Sequence, residues 1–145
     1  MKRVGLILLV SIFSSVTIPH DLLAKSQNIS VTNSWIRYKP AGVKVTGAFM
    51  DIKNNSSAND ILLSASSPIA TVEIHESKME KGVMSMNRVK SITIPKGKIV
   101  KLKPGSYHIM LINIKKNLKV GDLVEVTLKF DKAGDVKVKV PVVKK

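Results

Sequence analysis

Beyond residue 28 the chain alternates apolar and polar positions in short runs and shows no helical periodicity long enough to sustain a helix. Runs rich in Val, Ile and Leu recur between turn signals. They predict strands at Ile29–Ile36, Val45–Lys53, Asp60–Ala65, Thr71–Glu76, Val83–Met86, Ser91–Ile94, Ile99–Leu102, Tyr107–Ile112, Leu123–Phe130 and Val136–Val142. Asn54–Asn59 reads as a polar loop, and Pro95-Lys96-Gly97 as a turn. Lys103-Pro104-Gly105-Ser106 fits a type II turn, proline fixing the first central φ and glycine supplying the positive second one. Asp131–Asp135 closes a last hairpin. Many short strands at this spacing predict a single all-β domain, a sandwich or small barrel. Lysines alternating with valines in Val136-Lys137-Val138-Lys139-Val140 suggest a solvated strand face and a guard against edge pairing.

The N-terminus carries a different pattern. Lys2 and Arg3 precede an apolar run from Val4 to Val16, with Ser14 and Ser15 near its end and Pro19 and Leu22-Leu23-Ala24 beyond it. This is the layout of a secretory leader, too short to span a bilayer as a helix of roughly 20 residues. The expected division is a signal peptide at 1–24 and a β domain at 25–145, large enough for one core. After leader removal no stable membrane insertion is expected.

Charge and cysteine usage narrow the function. The formal charge is +14, and +13 once Lys2, Arg3 and Asp21 leave with the leader. Such a field favours acidic partners, but export argues against nucleic acid as the target. Cysteine is absent. That excludes disulfides, thiolate metal sites and the cysteine ligand that a blue-copper centre requires. It also removes lipid attachment through an N-terminal cysteine. The chain shows no nucleophile–base pair, supported carboxylate pair or cofactor loop, so no enzyme activity is expected.

The candidate chemistry lies in His75, Met86, His108 and Met110, spaced H-x10-M-x21-H-x-M. The only other histidine, His20, belongs to the leader. In a strand, residues i and i+2 share a face about 7 Å apart, so His108 and Met110 present imidazole and thioether together. His75 ends one apolar strand and Met86 opens the next segment, so a loop between them is expected to fold both toward His108. Taken singly, a methionine among β residues is core filling, as expected for Met50, and a histidine at a strand end is surface. As a set they form a soft donor group that selects Cu(I), with Cu(II) the other copper ion such a site could meet. Met84 shares a face with Met86 and is the second candidate for its place. Met79, in the expected loop, is the third.

These residues resemble the periplasmic PCu(A)C-type copper chaperones. The resemblance rests on the His75–Met86–His108–Met110 spacing and the run Pro104-Gly105-Ser106-Tyr107-His108-Ile109-Met110-Leu111. Val72-Glu73-Ile74-His75-Glu76, Gly82-Val83-Met84-Ser85-Met86, Ser34-Trp35-Ile36-Arg37 and the tail from Phe130 to Val140 extend it over the mature chain. Ser106 departs from the family's usual second glycine, and the basic charge is higher than the family's. The resemblance implies a cupredoxin-like Greek-key β-sandwich, monomeric and periplasmic, binding Cu(I) through those four residues. It further implies delivery to a copper-accepting protein, a cytochrome c oxidase subunit or a Sco-type thiol protein. The competing reading is a secreted basic β-sandwich that adheres to anionic surfaces.

Overall fold

The computed structural model describes residues 28–145. The expected leader at 1–24 lies outside them. Ten strands form in chain order: β1 Ile29–Arg37, β2 Val45–Asn54, β3 Asp60–Ser66, β4 Thr71–Glu80, β5 Val83–Arg88, β6 Ile92–Ile94, β7 Ile99–Leu102, β8 Tyr107–Ile112, β9 Leu123–Phe130 and β10 Gly134–Val143. No helix occurs among the described residues.

The strands pair in the order β5-β4-β8-β2-β1-β10-β9-β3-β6, while β7 pairs β2 beside β8. One half contains β5, β4, β8, β7, β2 and β1; the other contains β10, β9, β3 and β6. A short parallel contact, Ile36 to Val142 and Arg37 to Val143, joins them. The chain passes repeatedly from one half to the other, as in Greek-key topologies, and among the described residues the sheet does not close into a barrel. Alternation then dictates the core. Ile36, Ala48, Ile52, Ile74, Ile109 and Leu111 from the first half meet Leu62, Ile94, Val126, Leu128, Phe130 and Val140 from the second. Burying each large aliphatic chain contributes about 1.5–3 kcal/mol. Ile109 and Leu111 thereby pin β8, and the alternate residues His108 and Met110 are held on the outer face.

Two buried polar side chains hold the turns. Asn54 donates from Nδ2 to the carbonyls of Ala58 and Ile94, and its Oδ1 accepts from the Ser56 N–H and hydroxyl. Asp60 accepts the backbone N–H groups of Ile61, Lys132 and Ala133, tying β3 to the β9–β10 turn. Such groups are tolerated in a core because they are hydrogen-bonded.

β10 pairs with β9 from Gly134 to Pro141 but meets β1 only at Val142 and Val143. The side of Lys137 and Lys139 away from β9 therefore has no strand partner among the described residues, which is where exposed lysines discourage edge pairing. One expectation needs correction: the segment after His75 is no loop. β4 continues to Glu80, β5 starts at Val83, and Lys81 and Gly82 between them both have positive φ, 50° and 77°. That is the type I′ pattern, whose twist matches the strands it joins.

Candidate functional site

The site grows out of register on the outer face of the first half. His75 on β4 stands directly opposite His108 on β8, Ile74 opposite Ile109, and Glu73 opposite Met110. With the isoleucines turned into the core, His75, His108, Glu73 and Met110 share the outer face. Across the hairpin Met86 stands opposite Ser77, which places it on that face too. On the other flank β2 sets Gly47 against Met110. The expected folding back of a loop is replaced by straight cross-strand pairing.

β1 completes the floor through a bulge. Thr32 pairs Asp51, but Trp35 pairs Phe49, so two residues oppose one. Asn33 takes positive φ there, 51°, and donates from Nδ2 to Asp51. The inserted residue flips the alternation that follows. Trp35 therefore arrives on the site's face and packs on Phe49 with ring centroids 4.4 Å apart. Phe49 lies 6.2 Å from the His108 ring, and the Arg37 guanidinium lies over both aromatics. Gly47 permits this packing, because a Cβ there would come within 2.9 Å of the Phe49 ring.

The histidine rings are 5.9 Å apart between centroids, and each is held by one nitrogen. The Nδ1 of His108 lies 3.0 Å from the Ser106 carbonyl, and the Nε2 of His75 lies 2.8 Å from a Glu73 carboxylate oxygen. Both partners only accept, so both nitrogens carry the proton. The lone pairs are left on His108 Nε2 and His75 Nδ1, two buried atoms without a hydrogen-bond partner among the described residues. A buried, unsatisfied acceptor is costly in a structural role and is what a metal ligand requires. His108 is only 4% exposed although it stands on an outer face.

The electrostatics are those of a neutral donor set with charged neighbours. Glu73 is held below the usual carboxylate range, first by the hydrogen bond from His75, against partial burial, and with help from the charges of Arg88 and His75. Arg88 reaches the other Glu73 oxygen at 3.4 Å. Met86, His108, Met110, Gly47, Phe49 and Ser77 line an open pocket of about 270 Å³ shared with Arg37 and Lys39. His75 is not among the residues that line it.

The structure thus brings all four sequence-selected residues onto one face, with Met84 and Met79 farther along the hairpin. Met84 pairs Met79, so Met79 belongs to β4 and not to a loop. Met50 is buried in the core. Ser106, the departure from the family pattern, lies outside the positive-φ region and so does not need glycine. Its carbonyl accepts both His108 and the Ser77 N–H. Sequence reasoning did not single out Glu73, although its i, i+2 relation to His75 in a strand would have indicated it. Gly47, Phe49 and the β1 bulge had no comparable signal, because they depend on pairing between strands.

Residues 29–142 match the family described as "Putative lipoprotein LpqE-like". The chain is 36% identical over 120 residues to "Putative lipoprotein Lxx21020" of Leifsonia xyli subsp. xyli, covering 81% of this chain and 71% of that one. It is 30% identical over 119 residues to the uncharacterized protein RP573 of Rickettsia prowazekii, covering 77% of this chain and 64% of that one. Among solved structures it resembles the copper-bound PCuAC domain from PmoF2, with TM-score 0.69, 27% identity, and 81% and 94% of the two chains covered. The Cu(I) form of DR1885 from Deinococcus radiodurans aligns with TM-score 0.65 and 28% identity over 88% and 87%. The fold is accordingly the cupredoxin-like β-sandwich expected from the sequence, and the chain belongs to the LpqE-like family of PCuAC-type domains.

Proposed function

We propose that this protein is an extracytoplasmic copper carrier. It holds one Cu(I) through His75 Nδ1, His108 Nε2 and the thioethers of Met86 and Met110. The carrying observation is the pair of buried, unpartnered imidazole nitrogens on cross-strand neighbours, sharing a face with two methionines. Copper-bound and Cu(I)-bound structural neighbours support the cargo.

The chemistry favours the monovalent ion. Imidazole and thioether are neutral and soft. Arg37 and Lys39 line the same pocket, where they disfavour a doubly charged ion more than a singly charged one. Without thiolates the site holds copper by bonds that exchange readily, and the carrier performs no reaction of its own. Met86 is half exposed, which gives an incoming ligand an opening. The proposed route is a monomer in the periplasm that hands Cu(I) to the copper centre of cytochrome c oxidase, directly or through a Sco-type thiol partner.

An anaerobic Cu(I) competition titration tests the reading, run on the wild type beside His108→Ala/Met110→Ala. One Cu(I) per chain, bound far more weakly by the variant, is expected. No binding, or equal binding by both proteins, overturns it.

A further inference from the structure

Three methionines lie on the β4–β5 hairpin beyond the histidines, and only Met86 belongs to the site proposed above. Met79 is 62% exposed, and Met84 and Met86 are each 53% exposed. Met79 and Met84 are direct cross-strand partners, and Ser77 and Met86 are the next pair on the same face. Cross-strand partners have Cβ atoms about 5 Å apart, and Met84 and Met86 lie about 7 Å apart along the strand. Three long, flexible thioethers within that span can converge on one ion.

Burial does not explain them. Among the described residues β5 is an edge strand, paired only with β4, and Val83 at its start is exposed as well. An exposed apolar edge invites association and is ordinarily blunted with charge. Here Lys78 and Glu80, the charged neighbours of Met79, alternate onto the opposite face of β4, and Arg88, which shares the methionines' face, is paired with Glu73. Between the turn and Arg88 that face of the hairpin carries sulfur and the Ser77 hydroxyl.

We propose that Met79, Met84 and Met86 form a second soft-metal site, an exposed station that takes Cu(I) and, as its analogue, Ag(I). This deepens the carrier reading and rests on it. Met86 is the ligand common to both sites. Copper enters on the three thioethers. It then moves inward as His75, His108 and Met110 replace Met79 and Met84 one at a time, with Met86 bound throughout. The ion stays monovalent, every ligand is neutral, and no proton or electron is transferred. Release runs the same exchanges in reverse.

Methionine ε-methyl NMR with Ag(I) as the probe tests the station. In the wild type the first equivalent is expected to shift Met86 and Met110, and further Ag(I) to shift Met79 and Met84. In His75→Ala/His108→Ala/Met110→Leu, where the inner site is gone, Met79, Met84 and Met86 are expected to shift together. Adding Met79→Leu/Met84→Leu to that variant abolishes binding. If the stripped variant does not fold, the second phase of the wild-type titration decides. Wild type that binds one equivalent while Met79 and Met84 stay unmoved under excess Ag(I) overturns the station and leaves the carrier intact. Wild type in which no methionine moves overturns both.

Discussion

At His75 and His108 the identity of the protonated nitrogen decides what the site can do. Ser106 and Glu73 take opposite ring nitrogens, His108 Nδ1 and His75 Nε2, and thereby aim different lone pairs at the shared face. Replacing Glu73 with Gln lets an amide N–H donate to His75 Nε2, which favours the other tautomer and turns the lone pair away. Partners of this kind are worth roughly 10–100-fold in metal affinity, so Glu73→Gln is expected to weaken Cu(I) binding by that order in a competition titration while leaving the fold intact. The pH dependence follows from the depressed Glu73 pKa. The carboxylate form is favoured in the folded state, so its contribution is present at neutral pH and is lost as the pH falls through the folded pKa, below the ordinary 4.5. Thermal melts of wild type and Glu73→Gln should accordingly differ at pH 7 and converge only below that range. Gly47 gives a second test. An added methyl pushes the Phe49 ring aside, so Gly47→Ala should disturb the Trp35–Phe49 stack, read as a change in Trp35 fluorescence together with weaker Cu(I) binding.

The elements show what the sequence made legible and where it stopped. All ten strands were readable from period-two alternation, and β7, β8 and β9 match their expected bounds at both ends. The turn at Pro104-Gly105 was readable because its residues have one conformational use, and Gly105 does take a φ of 81°. The second half of β4 was not. Ser77, Lys78 and Glu80 look like loop by polarity, yet they belong to a hairpin arm paired with β5 out to Glu80 and Val83. The β1 bulge was invisible for the same reason. Alternation within one strand carries no information about the strand beside it. Candidate ligands could therefore be named from spacing, but their arrangement as cross-strand partners could not. The hairpin now supports its own prediction. Gly82 has a φ of 77° with open space around it, so Gly82→Ala adds backbone strain of about 1–2 kcal/mol without a clash. Strain in the turn should loosen the arm that carries Met86. Hydrogen exchange should accelerate in β4 beyond Ser77 and in β5, while β8 and β9 stay protected.

At the scale of the whole molecule, the question is what the positive charge does for a carrier. Part of it is plain solvation: Lys137 and Lys139 stand on the outer face of β10, and Lys139 pairs with Glu125 at 3.3 Å. A smaller group flanks the site. Lys39 and Arg37 line the pocket, and the Lys145 ammonium lies 4.7 Å from the Trp35 ring centroid. A positive rim around a neutral copper site would steer an acidic acceptor toward it without itself binding metal. Steering and ligation then respond differently to salt. Exposed charges are screened over a Debye length of about 10 Å at 0.1 M, whereas bonds to imidazole and thioether are not. Stopped-flow transfer of Cu(I) to the proposed acceptor should therefore slow as salt rises while Cu(I) affinity holds steady. Lys39→Glu/Lys145→Glu should slow transfer at low salt and flatten its salt dependence, and Lys137→Glu/Lys139→Glu should change it less. Equal effects from the two pairs would mean that net charge alone attracts the acceptor, and that the rim around the pocket has no part in orienting it.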